Sequence, residues 1–130
     1  MFAPENLRSP LARARGLGSA KSGLHHWWLQ RLSSLALIPL TVWFVASLVG
    51  LAGTGYETFT AWLGSPVNCT LMILFLGVGL HHADAGMQVV LEDYVASHGL
   101  RIGSIILVKL LCYGLAAFGI VSTLIVTFGV

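Results

Sequence analysis

Apolar and polar positions sort along the chain into three long stretches free of fixed charge, separated by short polar breaks. Nothing ionised lies between Arg31 and Glu57, nothing but His81 and His82 breaks the run from Glu57 to Asp84, and no charge follows Lys109. A helix rises about 1.5 Å per residue and the hydrocarbon core of a bilayer is about 30 Å thick, so about 20 residues make one crossing. Each run is long enough. The first helix is expected from Leu24 through HHWWLQRLSSLALIPLTVWFVASLVGL to Gly53. Pro39 kinks it at most, because neighbouring helices and Ser or Thr hydroxyls satisfy the backbone groups a proline frees. Thr54 to Gly64 is a polar connection holding an amphipathic YETFTAWL piece suited to a membrane surface. Ser65 followed by Pro66 opens the second helix, since Ser caps an N-terminus and Pro suits the first helical position. That helix runs to Tyr94, residues 96–100 turn, and the third begins at residue 99. The expected fold class is an all-α membrane protein with three transmembrane helices, up-down-up. Residues 1–23 form a basic arm and 24–130 the helical domain, with helices at about 24–53, 66–94 and 99–128.

Composition agrees with a lipid solvent. Of 130 residues, 56% are hydrophobic and 9% charged, whereas soluble domains carry about a quarter charged residues. A soluble domain this small leaves about a third of its unfolded-chain surface exposed, and too few polar side chains are present to cover it. The two cysteines, Cys69 and Cys112, fall inside predicted helices without CxxC or CxxH spacing. Iron–sulfur clusters take about four thiolates, and structural zinc needs clustered Cys or His, so this chain holds neither alone. No stretch reads as a strand, which leaves no place for a glycine-rich nucleotide fingerprint. Any redox chemistry must be shared with other chains.

Charge sets the orientation. Arg8, Arg13, Arg15, Lys21 and Arg31 precede or open the first helix, Arg101 lies in the second loop, and the first loop has no Lys or Arg. Basic ends face the cytoplasm or matrix, which puts the N-terminus and second loop inside and the C-terminus outside. Met1 to Lys21 lacks the apolar core and cleavage site of a secretory signal. A mitochondrial presequence is the alternative for an Arg-rich leader, with Glu5, Pro4 and Pro10 against it.

The chemistry concentrates in GLHHADAGMQVVLEDY, Gly79 to Tyr94, because ionisable groups inside a membrane helix are costly and usually functional. His82 lies near the middle of the second helix, and a neutral imidazole is a good axial haem ligand. Gly79 and Gly86 share its face and leave a recess where a porphyrin can pack. The alternative use of the same residues is plain: the histidine bonds a neighbouring helix and the glycines allow close packing. His81 points about 100° away and suits packing or support. A haem of the b type usually takes two axial ligands. His25 and His26 belong at the inner end of the first helix and His98 in the inner loop, whereas His82 lies about 18 Å from Tyr94 by helical rise. A second histidine ligand must then come from another chain.

Asp93 and Tyr94 end the second helix at a depth where a quinone head group can meet protons, and Tyr can donate to a quinone carbonyl. Tyr is equally an interfacial anchor, and Asp93 can simply close the helix. Trp27 and Trp28 read as anchors. Arg31, beside Ser33 and Ser34, can meet a haem propionate or snorkel to the head groups, and so can Lys109. Asp84 lies about 200° around the helix from His82 and needs a partner the sequence does not name.

The pattern of His82, Gly86, Asp93 and Tyr94, together with SAKSGLHHWWLQRLSSLALIPL from Ser19 to Leu40, resembles the hydrophobic membrane anchor of succinate dehydrogenase, particularly its alphaproteobacterial versions. The resemblance covers nearly the whole chain and includes length, three helices and an inside N-terminus. It implies that His82 ligates haem b, that Tyr94 hydrogen-bonds ubiquinone beside Asp93, and that Arg31 and His25 lie near the propionates. It also implies a complex with a flavoprotein subunit, an iron–sulfur subunit and a second membrane anchor subunit that supplies the other haem ligand. The resemblance is to this anchor and not to its sister, which carries a Ser-x-x-x-Arg quinone motif and its own haem histidine; here that spacing falls only at Ser9–Arg13 and Ser97–Arg101, outside the long apolar runs. In such a complex this chain has no complete catalytic site of its own, and its place is the bacterial inner membrane, with the mitochondrial inner membrane as the alternative. A structural adaptor without haem is the competing function. A transporter is a third option, weakened because three helices without broken segments give no substrate path.

Overall fold

The computed structural model describes residues 21–129, with side chains from residue 23. Most of the basic arm expected over 1–23 lies outside the described residues; helix is already present at Lys21, three positions before the expected start. Four helices follow in order: α1 (Lys21–Leu51), α2 (Tyr56–Leu63), α3 (Pro66–Tyr94) and α4 (His98–Phe128). The stretches Gly23–Leu51, Pro66–Tyr94 and His98–Phe128 are each long and apolar enough to cross a membrane. At about 1.5 Å per residue, the 31 residues of α4 extend about 46 Å, more than the hydrocarbon core requires.

Inside lipid every polar backbone and hydroxyl group needs a partner within the protein. The hydroxyls accordingly fold back on their own helices: Ser33 and Ser34 reach the Gln30 carbonyl at 3.0 and 2.8 Å, Thr70 reaches Pro66 at 2.8 Å, and Thr123 reaches Gly119 at 2.8 Å. Pro39 sits within α1 without ending it. Gly53, with φ of 79°, turns the chain out of α1, a conformation that favours a residue without Cβ. Ser65 occupies the N-cap position of α3 in extended backbone, but its side chain makes no cap bond. The start rests instead on Pro66 and on the Ser65 carbonyl, which accepts from Cys69 N–H at 2.9 Å.

α3 is the central element, packed against α4 on one side and α1 on another. The YETFTAWL segment forms α2 as a separate short helix. It docks through Trp62, which stacks on Trp43 of α1 with centroids 5.7 Å apart, next to a stack of Phe44 from α1 on Phe75 from α3 at 4.3 Å. The Trp62 carbonyl accepts from Asn68 Nδ2 at 2.9 Å. Little is fully enclosed. The buried apolar side chains among the described residues are Leu40, Leu63, Cys69, Ala85 and Ala116, while large apolar groups line the outside from Leu24 to Phe128. An apolar exterior over a thin interior is what a lipid-facing or partner-facing bundle requires.

Candidate functional site

Polar side chains tie the three long helices together at mid-length. On the α1 side, Ser33 Oγ lies 2.9 Å from His82 Nδ1, and Ser33 is buried. That contact brings α1 close to α3, with Gly79 and Gly86 on the facing side of α3. A Cβ on Gly79 would lie 3.7 Å from Leu37 Cδ2, and one on Gly86 would lie 3.7 Å from Gln30 Nε2. Both glycines thus face α1 above and below His82. Gln30 Oε1, in the same seam, is buried without a hydrogen-bond partner among the described residues.

His82 is half-buried, and its only hydrogen bond among the described residues is at Nδ1. The ring borders an open groove of about 390 Å³ lined by Ser34, Leu37, Ile38, Thr41 and Val42. Its walls are chiefly aliphatic, and His82 is its one imidazole. Such a lining suits a flat apolar macrocycle with a metal at its centre, bound from one side.

Arg31 lies one turn before Ser34 on the same row of α1, with its guanidinium 5.2 Å above the Trp27 ring. Arg31 is not among the residues that line the His82 groove. Its neighbours Trp27 and Trp28 pack edge to face at 5.1 Å and are exposed, as anchors are. His25 is not brought to His82. With His26, Leu29, Gln88 and Glu92 it lines a different groove, of about 580 Å³, between the start of α1 and the end of α3. Gln88 Nε2 donates to Glu92 Oε1 there at 2.8 Å. Asp93 and Tyr94 are exposed at the end of α3, Tyr94 at 83%. The phenol is free to donate to a group arriving at that surface.

On the α4 side, Asp84 finds its partner. Lys109 Nζ donates to Asp84 Oδ2 at 2.9 Å, with the carboxylate side chain 4% exposed and the lysine 44%. One turn along, His81 Nδ1 lies 3.2 Å from Tyr113 Oη. Lys109 thereby points to α3. Ser33, Gln30 and Tyr113 are the residues sequence reasoning did not single out. Ser33 left one signal, a serine inside an apolar run, but its contact spans 49 positions and depends on helix register.

A multi-pass membrane protein of three crossings, with one imidazole held at mid-span beside an open apolar groove, is the class this architecture defines. A family model described as Succinate dehydrogenase/Fumarate reductase transmembrane subunit matches residues 5–125. The succinate dehydrogenase hydrophobic membrane anchor subunit of Rickettsia conorii is 35% identical over 108 residues, covering 82% of this chain and 86% of that protein. Its namesake from Paracoccus denitrificans is 34% identical over 86 residues, covering 66% and 67%. The succinate dehydrogenase membrane anchor subunit of Reclinomonas americana is 31% identical over 94 residues, covering 70% and 78%. The chain belongs to the succinate dehydrogenase/fumarate reductase transmembrane subunit family.

Proposed function

We propose that this chain is a membrane anchor of a succinate dehydrogenase, where His82 supplies one axial ligand to a b-type haem shared with a second anchor subunit. The observation that carries the reading is the setting of His82: mid-helix, fixed through Nδ1 to Ser33, and bordering an apolar groove open on its other side. A half-buried imidazole with one nitrogen anchored and the other unpartnered matches the usual state of a metal-ligating histidine. When bound, the haem supplies a site that accepts and gives up one electron. No second ligand stands near His82 among the described residues, so the opposite one belongs to the partner.

Arg31, one turn before Ser34 on α1, is the first propionate candidate by family resemblance, since a guanidinium pairs with carboxylates in a planar fork. His25 is the second propionate candidate by family resemblance, and its groove opens at the same inner end of the helices. Gly79 and Gly86 face α1 on either side of His82, and on this reading they are the positions against which the porphyrin packs. Tyr94 and Asp93 contribute to ubiquinone reduction at the inner surface. The phenol donates to a quinone oxygen as negative charge gathers there, and the carboxylate stands where protons enter. The flavoprotein and iron–sulfur subunits, which this chain helps to hold at the membrane, supply the electrons. The basic N-terminus and Arg101 face the cytoplasm of a bacterial inner membrane.

His82→Ala in the assembled complex tests the reading. Expected is loss of the reducible b-type absorption spectrum while the flavoprotein and iron–sulfur subunits still co-purify. An unchanged spectrum, or a colourless wild-type assembly without stoichiometric iron, would overturn it in favour of a structural adaptor.

A further inference from the structure

We infer that Ser33 is a positioning residue for His82, fixing the ring's proton on Nδ1 and leaving the Nε2 lone pair free for a metal. This rests on the proposed haem reading and extends it to a residue that touches neither iron nor substrate. Two proton arrangements fit the 2.9 Å contact between Ser33 Oγ and His82 Nδ1. If Ser33 donated, the imidazole proton would sit on Nε2, aimed away from Ser33 with no acceptor among the described residues. An unpaired N–H in an apolar setting is costly, and an Nε2–H cannot bind a metal. If Nδ1 donates, Ser33 must accept, and its own proton needs another destination.

That destination exists. The Gln30 carbonyl lies 3.0 Å from Ser33 Oγ, one turn back along α1. The result is a directed chain in which Nδ1–H donates to Ser33 and Ser33 donates to the Gln30 carbonyl. Each bond polarises the next, so the serine oxygen is a better acceptor than an isolated hydroxyl. Ser33 is buried, and the Gln30 carbonyl it donates to also accepts from Ser34 Oγ at 2.8 Å. Nε2 is left with its lone pair facing outward, the form an axial ligand needs. A ligand whose other ring nitrogen donates in this way favours the ferric state and lowers the reduction potential of the metal it holds.

The test measures haem content and midpoint potential in the assembled complex for Ser33→Ala, Ser33→Thr and Ser33→Cys. Loss of an outer-sphere partner typically weakens metal binding about 10–100-fold. Ser33→Ala should therefore retain haem more weakly and shift the potential in the positive direction. Ser33→Thr keeps a hydroxyl that can reach the same carbonyl and should restore both properties. Ser33→Cys, a weak acceptor, should fall between them, and it carries the test if the alanine variant does not assemble. Thr70→Ala, which removes a comparable intrahelical bond near the start of α3, should leave both unchanged. A wild-type potential in Ser33→Ala or Ser33→Cys, or a threonine variant that behaves like alanine, would overturn the inference. These failures differ from failure of the haem reading itself, which is retention of haem by His82→Ala.

Discussion

Separating Asp84 from Lys109 perturbs the fold where α3 meets α4. Nζ and Oδ2 are 2.9 Å apart and the carboxylate side chain is 4% exposed, so the acid is enclosed by protein. Lys109 stands 11 positions after His98, about 16 Å along α4. Its open side therefore faces the membrane interior, lipid or a partner helix, if α4 crosses as its length and composition allow. Neither charge has solvent to return to when its partner is removed. Breaking such a pair on one side costs about 3–5 kcal/mol, whereas replacing both groups by apolar residues of similar volume is neutral or stabilising by about 1–4 kcal/mol. We therefore expect Lys109→Met and Asp84→Leu to be strongly destabilising alone and the double variant to match or exceed the parent. The assay is unfolding in mixed micelles of rising SDS fraction, followed by tryptophan fluorescence. Additive single effects, or a double variant as weak as their sum, would refute the claim that two charges held against each other set this interface.

Other expectations concern packing, the quinone end and the surface helix. Gly119→Ala places a Cβ 3.0 Å from Leu76 Cδ1 and should cost about 1–3 kcal/mol in the same assay, with relief on trimming Leu76 to Val. Gly114→Ala, in mid-helix with nothing within 4 Å, should instead stabilise by about 0.4–1 kcal/mol. Tyr94→Phe should slow quinone reduction about tenfold or more, the equivalent of one hydrogen bond to a developing charge, while succinate oxidation by a soluble dye persists. Equal loss of both activities would contradict a role for the phenol at the quinone. Trp62→Ala removes the stack on Trp43 and should raise amide hydrogen exchange over Tyr56–Leu63. Unchanged exchange there would show that this stack does not hold α2.

Elements whose signal is local are legible in the sequence. The uncharged runs locate the three spans, GTG and Ser65–Pro66 mark the breaks, and YETFTAWL announces α2 through its alternation of polar and apolar faces. α1 starts three residues earlier than its apolar pattern, since nothing between Lys21 and Leu24 forbids helix. Contacts between helices are not legible, because register and rotation decide them and neither is written in one helix. Asp84 visibly needs a partner, but choosing Lys109 requires the antiparallel register of α3 and α4. Ser33 reads as a neighbour of Arg31, yet it meets a histidine from another helix. His25 and His82 both look available to one cofactor in the sequence. Their different depths along the helices put them at grooves that share no lining residue.

The most direct measurement is an electron density map of the assembled complex in detergent or nanodiscs. The account predicts porphyrin iron bound to His82 Nε2, with Nδ1 on Ser33 and the opposing ligand from a different polypeptide. An imidazole at position 82 that touches only protein atoms, with no tetrapyrrole beside it, would contradict it.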